Sequence, residues 1–146
     1  MCFRVYVRWK GRRSRLAGVY LIVTWGRRSL DLYSLRLAHH LPIPKLYTNA
    51  YQMVWEEFNR PISHLTTRGA IFAAKFINKL RNIPGIPHMS NHHLGRFGYF
   101  LDKPFIITVH DLIRYLDVKG YGPLIHKPTM LDRFWIHLDY EGAVSY

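Results

Sequence analysis

The amino-acid sequence predicts an α/β fold, a Rossmann-like three-layer domain with a mostly parallel sheet. Short β-favouring apolar runs alternate along the chain with longer segments of helical periodicity, and several of these runs stop abruptly at polar residues. The length of 146 residues and the hydrophobic content of 49% suit one packed domain. Because helical crossovers join parallel strands, helices are expected on both faces of the sheet.

The first predicted unit is a strand followed by a helix. "GVYLIVTWG", residues 18–26, is short, rich in β-favouring residues and bounded by glycines, which indicates a buried strand. Ser29 or Asp31 can cap the helix that follows, and Pro42 and Pro44 end it. Five residues share one face of this helix at helical spacing: Leu30, Tyr33, Leu37, Ala38 and Leu41.

A second strand and helix follow. "KLYTNAY", residues 45–51, is a weaker strand, and a helix is predicted from Ser63 to Arg81. Ser63 is its expected N-cap, and "NIPG" ends it. The apolar stripe of this helix comprises Leu65, Phe72, Ala73, Phe76 and Leu80.

The last elements are two strands and a helix. Residues 86–93, "IPHMSNHH", predict a short strand, "LGRFGYFLDK" a loop or short helix, and residues 105–109 a buried strand. "TMLDRFWIHLDYEGAVSY" predicts a final helix, one side of which is lined by Leu131, Trp135, Leu138 and Gly142.

Residues 1–17 form a basic extension before the domain proper, which spans residues 18–146. Eight of the twelve net positive charges fall before the first acid, Asp31. The extension is either a disordered arm or a strand, because "FRVYVRW" alternates and can form an extra edge strand or a competing first strand. A basic surface attracts the phosphates of nucleic acid, anionic lipid or a nucleotide.

Two global features bear on location. No apolar run approaches the ~20 residues that a membrane span needs. The single cysteine, Cys2, excludes an intrachain disulfide and fits a reducing compartment. A cytoplasmic protein is therefore expected, with peripheral association at the inner membrane face as an extension of that expectation.

Polar residues follow three of the predicted strands. In open parallel sheets ligands bind at the carboxyl ends of the strands, so these residues predict a site there. The first strand is followed by Trp25, Gly26, Arg27 and Arg28, the third by Asn91, His92 and His93, and the fourth by His110 and Asp111.

Each of these residues also has a purely structural interpretation. A histidine at a strand end can bond a backbone carbonyl or cap a helix, and Asp111 can cap the turn that follows it. His92 and His93, if both belong to one strand, point to opposite faces of the sheet. No zinc-ligand spacing, GxGxxG, P-loop or GxSxG motif occurs, so no metal, dinucleotide or acyl-enzyme site is predicted.

Several motifs, in the correct order, resemble a known family. "NHHLGRFGYFLDKPFIITVHDLIRYLD" resembles the acceptor-side half of a family 4 (group 1) glycosyltransferase, which has the GT-B fold. "SLDLYSLRLAHHLPIPKLYT" resembles its first loop and helix, and "LDRFWIHLDYEGAVSY" its helix before the last strand. The resemblance extends from about Gly18 to the last residue and implies half of a GT-B fold.

The resemblance implies retaining, metal-independent sugar transfer from a nucleotide sugar, a co-substrate rather than a cofactor, to a sugar or lipid-linked acceptor. His110 matches the family's strand-end histidine, a catalytic position near the transferred sugar and its phosphate. Asp111 would position His110 or bond a hydroxyl group. The other residues predicted to bind substrate are Asn91, His92, His93, Arg96, Trp25, Gly26, Arg27 and Arg28.

Two departures from the family pattern limit this expectation. Gly26 stands where many members have a glycine pair, so Arg27 or Arg28 would supply the positive charge at the donor phosphates. The family's donor-binding glutamates lie in a second domain, which would be missing or separately encoded. The 146 residues alone are therefore expected to be inactive.

Other functions remain open at this point. The charge allows a basic module that binds nucleic acid or anionic membrane, and a non-catalytic remnant or partner subunit is a further alternative. Nucleic acid is the less favoured partner because no RNP-like, helix-turn-helix or zinc-finger pattern occurs.

Overall fold

The computed structural model describes residues 4–8, 18–58, 67–121 and 130–144. Five strands and six helices occur in these ranges, together with a 3₁₀ turn at His92–Leu94. The strands are β1 (Arg4–Arg8), β2 (Val19–Thr24), β3 (Lys45–Thr48), β4 (Ile86–Met89) and β5 (Phe105–Val109). The helices are α1 (Ser29–His40), α2 (Ala50–Phe58), α3 (Thr67–Asn82), α4 (Gly95–Gly98), α5 (Ile113–Lys119) and α6 (Met130–Val144).

The strands form one sheet in the order β1-β5-β4-β2-β3. Strands β2 to β5 run parallel, and only β1 is antiparallel, pairing with β5. The predicted α/β, Rossmann-like three-layer fold is therefore confirmed. Of the alternatives for the basic extension, the structure has an extra edge strand at Arg4–Arg8, and residues 9–17 lie outside the described ranges.

The alternation of side chains along the strands divides the core between the two faces of the sheet. Ile22, Met89 and Ile107 are paired neighbours in the register and belong to the core on one face, together with residues of α2, α3 and α4. Leu21 and Val23 point the other way and pack with residues of α1. Their complete burial contributes roughly 1.5–3 kcal/mol per large apolar side chain.

The first helix differs from its prediction at the cap and on its buried face. Arg28, rather than Ser29 or Asp31, is the N-cap, and its backbone N–H donates to the carboxylate of Asp31 at 3.3 Å. The fully buried residues of α1 are Asp31, Ser34 and Ala38, whereas the predicted Leu30, Tyr33, Leu37 and Leu41 are half-buried. Two polar residues can be buried there because both are hydrogen-bonded.

The second strand and the following helices also need correction. Strand β3 ends at Thr48, whose hydroxyl accepts a hydrogen bond from the N–H of Ala50, so α2 begins where strand was predicted. In α3, Phe76 and Leu80 are buried, and Phe72 and Ala73 pack against them. The predicted cap Ser63 and the stripe residue Leu65 lie outside the described ranges.

The final helix is confirmed, but its most buried face is shifted from the predicted one. Among the residues of α6 whose burial the structure describes, Ile136, Asp139 and Tyr140 are buried, whereas Trp135 and Leu138 are half-buried. Leu131 and Gly142 belong to this helix, but the structure does not describe how deeply they are buried. Within those ranges no helix has the length and apolar character needed to cross a bilayer.

Candidate functional site

The order of the strands defines where a ligand is expected to bind. From β2 the chain passes through α1 to β3 on one side, and it later returns to β4 on the other side of β2. The boundary between β2 and β4 is therefore the topological switch point, where open α/β sheets form their ligand crevice. The loops after β2, β4 and β5 follow three neighbouring parallel strands, so the predicted site residues emerge at one edge.

The loop after β2 joins this edge to the N-terminus of α1. A Cβ atom at Gly26 would collide with the carboxylate of Asp31, so a larger residue there would displace that side chain. Trp25 and Arg27 are exposed, and the Arg28 guanidinium lies 5.7 Å from the centroid of the Tyr51 ring, a cation–π distance. Since Asp31 already neutralises part of the positive helix end, an incoming anion would depend on the two arginine side chains.

Hydrogen bonds of two serine hydroxyl groups hold the backbone in place at the switch point. The N–H of Thr24 donates to Oγ of Ser34 at 2.9 Å, and Ser90 Oγ donates to the Ile22 carbonyl at 3.0 Å. The two serine Oγ atoms are 2.7 Å apart. Because the Ser90 hydroxyl already donates its proton to the Ile22 carbonyl, the Ser34 hydroxyl is the donor in this bond. These bonds join α1, β2 and the end of β4, and they hold the floor of the site in one geometry.

The two adjacent histidines after β4 do not lie on a strand. Strand β4 ends at Met89, and His92 and His93 belong to the 3₁₀ turn, which begins where the Asn91 side chain accepts from the N–H of His93 at 3.0 Å. The predicted strand to His93 is therefore too long, the alternation expected within one strand does not apply to these two residues, and their ring centroids are 4.2 Å apart. Asn91, His92 and His93 are all buried, with at most 5% of their surface exposed.

Burial determines the charge state of His92. The loss of solvation lowers the pKa of His92 to about 2, and the neighbouring His93 and His110 act in the same direction, whereas Asp139 opposes them. A histidine with so low a pKa is neutral at physiological pH. Neutral His92 can therefore donate and accept hydrogen bonds at the site. It cannot serve as a general acid there, because it does not carry the extra proton of an imidazolium.

Arg96 forms a buried ion pair that sequence analysis did not predict. Its Nε and Nη2 atoms lie 2.9 and 2.8 Å from the two carboxylate oxygens of Asp139, and its backbone N–H also donates to that carboxylate. Burial alone raises the pKa of Asp139, but the charge and hydrogen bonds of Arg96 outweigh it and hold the pKa below its ordinary value. Nδ1 of His93 is 3.7 Å from the same carboxylate.

This placement favours a structural role for Arg96 over its predicted role in binding substrate. Only 2% of Arg96 is exposed, and its guanidinium lies 4.6 Å from the ring centroid of Trp135. Its role is to join α4 to α6 and to support His93 from behind. Gly95 allows the helices to approach, since a Cβ atom there would collide with the backbone oxygen of Asp139.

His110 is half-buried at the end of β5. Its Nε2 lies 2.8 Å from the Ser90 carbonyl, and its ring meets the Tyr33 ring edge-on with the centroids 4.4 Å apart. A carbonyl can only accept, so Nε2 carries a proton and Nδ1 is the acceptor nitrogen of the neutral ring. The structure thus shows the hydrogen bond to a backbone carbonyl that the structural interpretation predicts. The same bond holds the imidazole at the edge of the sheet, where its centroid is 6.1 Å from that of the His92 ring.

Asp111 behaves as the capping interpretation predicts. Its carboxylate accepts a hydrogen bond from the N–H of Ile113 at 3.2 Å, just before α5. Its backbone carbonyl accepts from the hydroxyl of Tyr140 at 3.0 Å, which ties this turn to α6. Asp111 therefore shapes the loop that carries His110.

Three members of this site, Asp139, Ser34 and Ser90, were not predicted from the sequence. Asp139 carried a weak signal, because an acid occupies the same helical face as the apolar Ile136 and Tyr140. The two serines carried none, since their partners are distant in sequence. In the part of the chain that the structure describes, no three His, Cys, Asp or Glu side chains are arranged to hold a metal ion.

Comparison with protein-family models, with curated proteins and with solved structures found no match to this chain. The family resemblance therefore stays a prediction from the quoted motifs.

Proposed function

We propose that this chain is the acceptor-side domain of a sugar-transferring enzyme that uses a nucleotide-sugar donor. The observation that carries the proposal is the convergence at the switch point of the loop with Gly26–Arg28, the turn with Asn91–His93, and His110. The turn and His110 lie in the segment that resembles family 4 glycosyltransferases, and the loop stands at the place of that family's first loop, with Gly26 instead of a glycine pair. Their joint position at one edge of the sheet supports a shared site.

In this proposal the two ends of the site have different tasks. Arg27 and Arg28 face the donor phosphates, where a planar guanidinium can form paired hydrogen bonds. His110 contacts the transferred sugar or the phosphate that leaves with the nucleotide. Its ring is held by the Ser90 carbonyl and the Tyr33 ring, so little side-chain entropy is lost when a ligand binds.

The buried groups behind His110 position it rather than react. Neutral His92 fills the space beside the His110 ring without adding charge, while Asp139 and Arg96 hold the turn at His93. Donor-binding glutamates of the kind found in the family would come from a second domain, so sugar transfer requires such a domain. A cytoplasmic location, where nucleotide sugars and reduced thiols occur together, suits this function.

Calorimetric titration with UDP-glucose, UDP-N-acetylglucosamine, GDP-mannose and ADP-glucose tests the proposal. At least one is expected to bind, weakly in the absence of a second domain, and His110→Ala should reduce its affinity about tenfold. His40→Ala, an exposed histidine at the end of α1, is the matched control and should leave affinity unchanged. Absence of binding by all four, or equal affinity of the wild type and His110→Ala, would contradict it.

A further inference from the structure

A groove lies beyond the switch point, between the carboxyl end of the edge strand β3, the loop after β2 and helix α3. Its volume is about 220 Å³. This is below the roughly 300–1,000 Å³ of pockets that enclose drug-sized ligands, so the groove admits one ring unit of a larger molecule. Its walls include Trp25, Tyr47, Thr48, Asn49, Lys75 and Lys79.

Aromatic faces dominate the apolar part of this groove. Trp25 is 51% exposed and Tyr47 is 58% exposed, although aromatic rings of this size are usually more deeply buried in a folded protein. Leu46, Phe72 and Phe76 complete the lining, and the two phenyl rings are nearly parallel, with their centroids 6.0 Å apart. Exposed flat rings beside the hydroxyl of Thr48 and the amide of Asn49 suit a ligand that has both C–H faces and hydroxyl groups, as a pyranose does.

The charge of the groove is positive. Lys75 and Lys79 are exposed on α3, lie one helical turn apart and line the same groove. The lining contains no acid, and the sequence has none between Glu57 and Asp102. Because no carboxylate within the described lining neutralises these two ammonium groups, an anionic ligand is favoured over a neutral one.

We propose that this groove binds an anionic sugar unit, carboxylated or phosphorylated, of the acceptor. The proposal rests on the transferase function above and names its acceptor class. Strands β3 and β5 are separated by β2 and β4, so the groove and His110 are three strand spacings apart, roughly 14 Å. That distance exceeds one sugar ring, and the acceptor is therefore an oligosaccharide whose anionic unit lies away from the end that receives the new sugar.

The test is calorimetric titration of the full 146-residue chain, without nucleotide sugar, with trigalacturonate, glucose 6-phosphate, maltotriose and inorganic phosphate. Either trigalacturonate or glucose 6-phosphate should bind at least tenfold more tightly than neutral maltotriose, and the tighter of the two identifies the anionic group. The double variant Lys75→Gln/Lys79→Gln should abolish that difference. Tyr47→Ala should lower the affinity for each saccharide about tenfold.

Matched controls are Arg36→Gln, an exposed cation on α1, and Tyr121→Ala, an exposed aromatic residue; neither lines the groove. Both should bind as the wild type does. Absence of saccharide binding, equal affinity in the lysine variant, or inorganic phosphate bound as tightly as glucose 6-phosphate would each overturn the proposal. Nucleotide-sugar binding without saccharide binding removes only this inference. Saccharide binding without nucleotide-sugar binding contradicts the transferase proposal and leaves the groove as a saccharide site that is not an acceptor site.

Discussion

His110 and Ser90 are joined across two neighbouring strands by a hydrogen bond of 2.8 Å from an imidazole nitrogen to a backbone carbonyl. The hydroxyl of the same serine donates to β2 and receives a hydrogen bond from Ser34 of α1. One residue therefore couples the end of β5 to the switch point. The candidate site is a connected polar framework, and its parts should respond to substitution together.

The buried pair of Arg96 and Asp139 should be essential for stability. Asp139→Asn leaves the Arg96 charge buried without a counterion, and it should lower the free energy of unfolding by roughly 3–5 kcal/mol, measured by urea denaturation. Asp102→Asn, at an exposed acid, should change it by less than about 0.5 kcal/mol. Adding Arg96→Met to Asp139→Asn should restore much of the loss. A cost below about 1 kcal/mol for Asp139→Asn would show that the pair is not intact in solution.

The lowered pKa of His92 predicts a specific dependence of stability on pH. With a pKa of about 2 when folded and an ordinary value of 6.5, only the unfolded chain takes up this proton as the pH falls below 6.5. The stabilisation is therefore complete above that pH and decreases at about 1.4 kcal/mol per pH unit below it. Burial lowers the pKa of His88 as well, so His88 also contributes to the loss of stability as the pH falls.

Urea unfolding at pH 7.5 and pH 5.5 measures this effect. The wild type should lose about 1.4 kcal/mol more than His92→Gln between the two pH values, because glutamine does not titrate. His40→Gln, at an exposed histidine, should retain the wild-type difference. If His92→Gln and the wild type lose the same free energy, His92 is solvated in the folded protein.

The contact between Gly26 and Asp31 predicts a non-additive pair of substitutions. Gly26→Ala forces the Asp31 carboxylate away from the N–H of Arg28, and a cost of roughly 1–3 kcal/mol is expected from the steric conflict. In an Asp31→Ala background the same substitution should cost much less, since the colliding atoms are gone. Thermal unfolding of the four proteins of this cycle provides the measurement. Additive costs would mean that the loop after β2 does not approach Asp31.

Local sequence patterns predicted some strands and helices correctly, and the patterns themselves explain why. Strand β5 coincides with its prediction because five consecutive β-favouring residues end sharply at His110. Strand β4 was predicted too long, since the Asn91 side chain caps a 3₁₀ turn that the alternation of residues does not reveal. Helix α2 was missed because Thr48 caps it from within the predicted strand.

The site was predictable only in part for a different reason. The rule that ligands bind at the carboxyl ends of parallel strands identified His110, Asn91 and the loop with Gly26. It could not identify Asp139, which meets Arg96 across 43 residues of sequence, or the serine pair, which spans 56. Contacts of this kind depend on how α6 and α1 pack on the sheet, and no local pattern determines that packing.

The most direct test of the account is an NMR titration of the ¹⁵N-labelled chain with the nucleotide sugar that binds best in calorimetry. The account predicts that the imidazole signals of His110 and the amide signals of Gly26, Arg27 and Arg28 shift together along one binding curve, while those of Lys119–Tyr121 stay unchanged. Saturating shifts confined to other surfaces, or none at these four residues, would contradict the assignment of the switch point as a nucleotide-sugar site.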